Sequence, residues 1–128
     1  MEYNILMEKA KQVSKNAYIP YSHFAVGACV LTKSGKVYTG CNFENASFGL
    51  TICAERNAIG SAIADGEKEL AAIAIFSPKM HDCTPCGACR QVISEFCPLE
   101  GIDIVTENEN GLIIRNFNEL LPERFYLQ

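Results

Sequence analysis

Clustered positive charge is missing from this sequence. Its 11 Lys and Arg are scattered among 15 Asp and Glu, which leaves a formal net charge of −4. A polynucleotide groove needs cations gathered on one face, so that class of partner is excluded. Also missing is any apolar run near the roughly 20 residues that span a bilayer. The opening "MEYNILMEKAKQ" mixes acids and bases and has no apolar stretch leading to a cleavage site. No signal peptide is therefore expected, and the expected location is cytoplasmic. Repeats, low-complexity tracts and linkers are absent too, so residues 1–128 are expected to form one domain. Finally, an even cysteine count is lacking. Seven cysteines without a sign of export argue against a disulfide framework and turn attention to metal binding.

What is present reads as alternating helices and strands. Ile5, Leu6, Ala10, Val13 and Ala17 recur at helical spacing, which predicts an amphipathic helix over residues 2–17. Pro20 ends that pattern. "FAVGACVLT", the turn "KSGK" and "VYTGC" predict a hairpin over 24–41. A helix is expected from Cys53 to Ala64, with Asp65 and Gly66 as its stop. "LAAIAIFS" has the length and continuous apolarity of a central strand. "CGACRQVISEF" is a second amphipathic helix between Pro85 and Pro98. "IDIVTE" and "LIIRNF" flank a turn too short for anything but an antiparallel pair, and a short helix follows near "NELLP". The order is α-β-β-α-β-α-β-β, which implies a mainly parallel sheet with helices on its faces and antiparallel edge strands.

Two of these helices begin with cysteine: Cys53 on one, Cys86 and Cys89 on the other. A helix N-terminus favours thiolate over thiol, and two such ends after strands of one sheet can meet at one place. Three ligands with a fourth position open describe a catalytic zinc, whereas a structural zinc is usually closed by four. C-x-x-C by itself equally suits a structural zinc or a redox pair. The redox reading leaves Cys53 and Glu55 unused. An iron–sulfur reading of Cys83, Cys86 and Cys89 fails on the spacing to Cys97, with seven residues intervening. A structural zinc would need a fourth ligand such as Cys83 and would make Glu55 dispensable. Glu55, two residues after Cys53, can sit beside an open metal position without occupying it; otherwise it merely favours the helix dipole. Together, C-x-E and P-C-x-x-C match the zinc-deaminase signature in its three-cysteine form.

On "CNFENASFGLTICAERNA", "PCGACRQVISEF", "YIPYSHFAVGA" and "ELLPERF", the chain resembles the small homotetrameric cytidine deaminases over almost its whole length. The resemblance implies a three-layer α/β/α fold with a five-stranded mixed sheet. It also implies one Zn²⁺ per subunit on Cys53, Cys86 and Cys89, with Glu55 as proton shuttle. Cytidine or 2′-deoxycytidine would be hydrolysed to the uridine product and ammonia, in pyrimidine salvage. Arg56 and Arg90, each beside a ligand, would offset the net −1 charge of a dication on three thiolates. Asn42 and Glu44 would take the ribose 3′-hydroxyl, Phe24 would stack on the pyrimidine, and Ala54 would offer its backbone to the base. Phe125 would reach a neighbouring subunit's site within a homotetramer, with Phe48 near such a shared site. A blasticidin-type deaminase shares the three cysteines, but the Asn42–Glu44 pair and "ERNA" favour cytidine. Cys29 and Cys97 read as buried thiols, and His23 and His81 as surface residues. Cys41 and Cys83 match no ligand position, and Cys83 is the departure that could compete for metal.

Overall fold

Leu6, Met7 and Ala10 form the buried stripe of helix α1 (Tyr3–Ser14) in the computed structural model, which describes residues 2–127. The helix stops three residues short of its expected end. Beyond Ser14 the chain is claimed by the sheet edge: Tyr18 donates to Asn42 O at 3.0 Å and accepts from Glu44 N at 2.9 Å. Five strands follow: β1 (Gly27–Thr32), β2 (Val37–Cys41), β3 (Leu70–Phe76), β4 (Asp103–Asn108) and β5 (Gly111–Asn116). They form one sheet in the order β2-β1-β3-β4-β5.

The expectation of a mainly parallel sheet needs correcting. Only β3–β4 is a parallel hydrogen-bonded pair; β1–β2, β1–β3 and β4–β5 are antiparallel. Both strand–helix–strand units do run parallel, as their crossovers require. However, β1 lies between β2 and β3, so the first unit spans a hairpin partner instead of pairing directly.

Alternation along the strands supplies two cores. Cys29, Ala72, Ala74 and Val105 face α1, while Ala28, Val30, Ile73, Ile75 and Ile104 face the opposite side. That side is covered by α2 (Ala54–Ala64) and α3 (Gly87–Glu95), with a short α4 (Phe117–Leu120) beside them. The layering is therefore α/β/α. Gly40 lets α2 come close: a Cβ there would lie 2.4 Å from Ala58 N. No helix among the described residues is long and apolar enough to cross a membrane.

The consequence for chemistry is positional. Because β2 and β3 run in the same direction, α2 and α3 both start beyond the same edge of the sheet, at the strands' C-terminal ends. In open α/β sheets this is where ligands are bound.

Candidate active site

Cys53 is the N-cap of α2 and Cys86 the N-cap of α3, each with extended backbone and neither using its side chain to cap the helix. Their sulfurs are thus left free, near the positive ends of two helices. Cys89, one turn into α3, is buried behind them. The three sulfurs lie within 4.8 Å of one another, and Cys53 Sγ and Cys86 Sγ are 3.9 Å apart. Two sulfurs on one tetrahedral zinc, each at about 2.3 Å, would be about 3.8 Å apart. The donor set fits zinc in both chemistry and spacing. Cys83, the possible fourth ligand, is outside this cluster.

Arg56, one turn into α2, donates through Nη2 to Cys53 Sγ at 3.4 Å and to Thr51 O at 3.5 Å. Its Nε is buried with no hydrogen-bond partner among the described residues. The Cys53 thiol is held far below the usual range, at about 5, first by its hydrogen bond with Cys89 and then by Arg56. The same hydrogen bond, and then burial, push the Cys89 thiol strongly upward.

Arg90 does something different from what its place beside Cys89 suggests. Its Nε donates to Pro85 O and its Nη1 to Leu120 O, both at 2.7 Å. It braces the backbone just before Cys86 and the end of α4, and no bond to sulfur is formed. Sequence adjacency could not reveal this, because Arg90 lies only one residue from Cys89 but its side chain reaches one carbonyl five residues back and another 30 residues on.

Glu55 is only 4% exposed and lines a cavity of about 260 Å³ together with Phe24, Asn42, Cys53, Ala54 and Cys86. Burial pushes its carboxyl up to about 7, with the Cys53 negative charge adding to the effect. Cys83 belongs to this cavity wall, where burial and the charges of Glu55 and Asp82 push its thiol up to about 11. Cys29, Cys41 and Cys97 are raised by burial as well. His23 and His81 are exposed, and His81 faces Glu109 at 3.8 Å.

Asn42 is buried and staples the segment that carries Phe24: its Oδ1 accepts from Val26 N at 2.9 Å and its Nδ2 donates to Phe24 O at 2.8 Å. One N–H of that amide remains free. Glu44 borders an adjoining cavity of about 200 Å³ with Tyr21, Ser22, Phe48 and Thr51, and Thr51 lines both cavities. Glu44 Oε1 accepts from Tyr21 N at 3.0 Å and Ser22 N at 3.1 Å, and Oε2 accepts from the Ser22 hydroxyl. Its charge is held by these donors, Ser22 foremost, which lower its pKa. A carboxylate has about four acceptor positions, so one is still open to a ligand hydroxyl.

Phe48 is 73% exposed, with its ring 5.6 Å from that of Tyr21. Phe125 lines neither cavity: its carbonyl accepts from Gln91 Nε2 at 3.1 Å and its side chain is 68% exposed. Ser22, Thr51 and Met80 were not singled out from the sequence. For Ser22 a signal existed, since a serine two residues before Phe24 at a helix-breaking turn can bond the local backbone.

The zinc-binding region of cytidine and deoxycytidylate deaminases matches residues 1–102. A cytidine deaminase from Halalkalibacterium halodurans is 42% identical over 125 residues, covering 98% of this chain and 95% of the relative. The crystal structure of a cytidine deaminase from Burkholderia pseudomallei superposes with a TM-score of 0.90 at 43% identity, covering 98% of this chain and 100% of that one. A blasticidin-S deaminase from Bacillus cereus is more distant, 30% identical over 128 residues, covering 94% of this chain and 89% of the relative.

Proposed function

This chain belongs to the cytidine and deoxycytidylate deaminase family, and from that premise we propose how its residues carry out the reaction. It hydrolyses cytidine to uridine, with water entering at C4 and ammonia leaving; we extend this to 2′-deoxycytidine and to a role in pyrimidine salvage. The observation that carries the proposal is the meeting of three cysteine sulfurs within 4.8 Å of one another, two of which line one cavity with the buried Glu55 carboxylate.

Cys53, Cys86 and Cys89 would hold zinc. Bound there, the ion supplies Lewis acidity, bringing the pKa of a water toward neutrality. Glu55 moves the protons. It accepts one from the attacking water and delivers it to N3 of the ring; it then takes the remaining proton from the new C4 hydroxyl and passes it to the amino group, so that the C4 carbonyl forms as the C4–N bond breaks and ammonia leaves. One carboxylate suffices because all three atoms lie within hydrogen-bond reach of one spot. Arg56 offsets the excess negative charge of the thiolates, and Arg90 holds the Pro85–Cys86 backbone in place.

Phe24 stacks on the pyrimidine, and the backbone at Ala54 meets its polar edge. At the sugar end, the 3′-hydroxyl donates to the open position on Glu44 and accepts the free N–H of Asn42. The chain works as one catalytic domain in the cytoplasm. Four copies assemble so that Phe125 of one reaches the site of another, near Phe48. The exposure of both aromatic side chains supports this arrangement.

The test is to incubate the zinc-loaded protein with cytidine, with blasticidin S in a parallel reaction, and to follow loss of the substrate's ultraviolet absorbance. Turnover of cytidine, inhibited competitively by uridine, is expected. Turnover of blasticidin S alone would move the chain to the other branch of its relatives. No turnover of either, with zinc retained, would leave a structural metal site.

A further inference from the structure

Two substrate-recognition side chains, Asn42 and Glu44, bond to the backbone of one short segment, residues 21–26, which carries a third, Phe24. Ser22 is the one side chain there that connects the two ends of the site. Its hydroxyl donates to Glu44 Oε2, and its oxygen accepts from Phe24 N at 3.0 Å. Asn42 holds the other side of Phe24 through the Phe24 carbonyl, and holds Val26 through its N–H. Between Ser22 and Phe24, His23 has φ of 57°, a left-handed conformation that non-glycine residues seldom adopt without support. The chain turns tightly at His23, and the Ser22 hydroxyl spans that turn.

We infer that Ser22 is a positioning residue that fixes the sugar-binding carboxylate of Glu44 relative to the base-stacking ring of Phe24. The inference rests on the nucleoside reading given above. Without the hydroxyl, Glu44 keeps two backbone donors, both on Oε1. Oε2 then loses its anchor and can rotate away from a ligand hydroxyl. Phe24 N–H loses its acceptor, so the ring is no longer tied to the carboxylate. Ser22 makes no contact with the thiolate cluster, and the chemical step is therefore spared.

The experiment compares wild type, Ser22→Ala and Ser22→Thr. For each, titration calorimetry gives the Kd of uridine and of 3′-deoxyuridine, which lacks the hydroxyl assigned to Glu44, and steady-state assays give KM and kcat for cytidine. For Ser22→Ala, uridine should bind about tenfold more weakly, the loss of one charge-assisted hydrogen bond. The loss for 3′-deoxyuridine should be about threefold or less, and kcat should stay within about twofold of wild type. Ser22→Thr, which keeps the hydroxyl, should restore most of the uridine affinity. Equal losses on both nucleosides would show a general loosening of the turn and overturn the proposal, as would no loss at all. If wild type binds and turns over nucleosides while Ser22→Ala behaves identically, the inference alone fails. If wild type binds no uridine, the nucleoside reading fails and takes the inference with it.

Discussion

In the proposed site, Arg56 answers a problem that three thiolates create. A dication on three thiolates has a net charge of −1, which works against generating hydroxide. The guanidinium 3.4 Å from Cys53 Sγ is the nearest compensation the fold provides. Donors to ligand atoms typically change activity or metal affinity by 10- to 100-fold. Arg56→Ala should therefore lower cytidine turnover by about that factor while the melting temperature hardly moves. Parallel assays of turnover, zinc content and thermal unfolding check this, and unchanged turnover at full zinc loading would contradict it. Arg90→Ala should behave in the opposite way, because its bonds go to Pro85 O and Leu120 O. At this scale the meeting of the Cys53, Cys86 and Cys89 sulfurs near Glu55 was legible because short sequence spacing on a helix start fixes their geometry. The bonds of Arg90 to Leu120 O and of Ser22 to Glu44 were not, since both join segments brought together only by the folded chain.

Between β3 and α3, the loop that delivers Cys83 and Cys86 is pinned by a clamp. Arg115 on β5 donates from Nη1 to Asp82 Oδ1 at 2.7 Å and from Nη2 to Asp82 Oδ2 at 2.6 Å, and Thr106 on β4 donates to Oδ1. The backbone N–H of Asp82 adds a bond to Glu107 O at 2.9 Å. Arg115 first, then Thr106, lowers the Asp82 carboxyl from 3.8 to about 2. A depressed carboxyl pKa contributes stability that is fully present above pH 3.8 and is lost as pH falls through about 2. With the Asp82 side chain 33% exposed, solvent screening reduces that contribution to about 1 kcal/mol. Wild type should exceed Arg115→Met by this amount at neutral pH, and the gap should close between pH 4 and pH 2 in urea unfolding. A gap constant down to pH 2 would contradict the clamp. The element order itself was legible from periodicity and turn residues. The insertion of β1 between β2 and β3 was not, because a hairpin's sequence does not say which of its strands will meet the next one. The pairing of Tyr18 with the end of β2 also ended α1 sooner than its apolar spacing suggests.

As a whole molecule, the chain leaves aromatic and aliphatic side chains open around its site and along its tail, among them Phe48, Leu50, Phe125 and Leu127. The proposed assembly, in which a neighbouring copy completes the site, would account for Phe125 standing outside both cavities of its own chain. Sedimentation velocity should show a species of four 14.1 kDa chains. Phe125→Ala should raise KM for cytidine severalfold without removing zinc; a monomer with full activity would contradict the shared site. In the proposed mechanism one buried carboxylate moves the protons beside a zinc held by three thiolates. Its most direct test is Glu55→Gln, purified with its metal and assayed for zinc content and cytidine turnover together. The variant should retain one zinc per chain as in wild type, with turnover lower by roughly two to four powers of ten. Turnover close to wild type, or loss of the zinc along with the carboxylate, would contradict it.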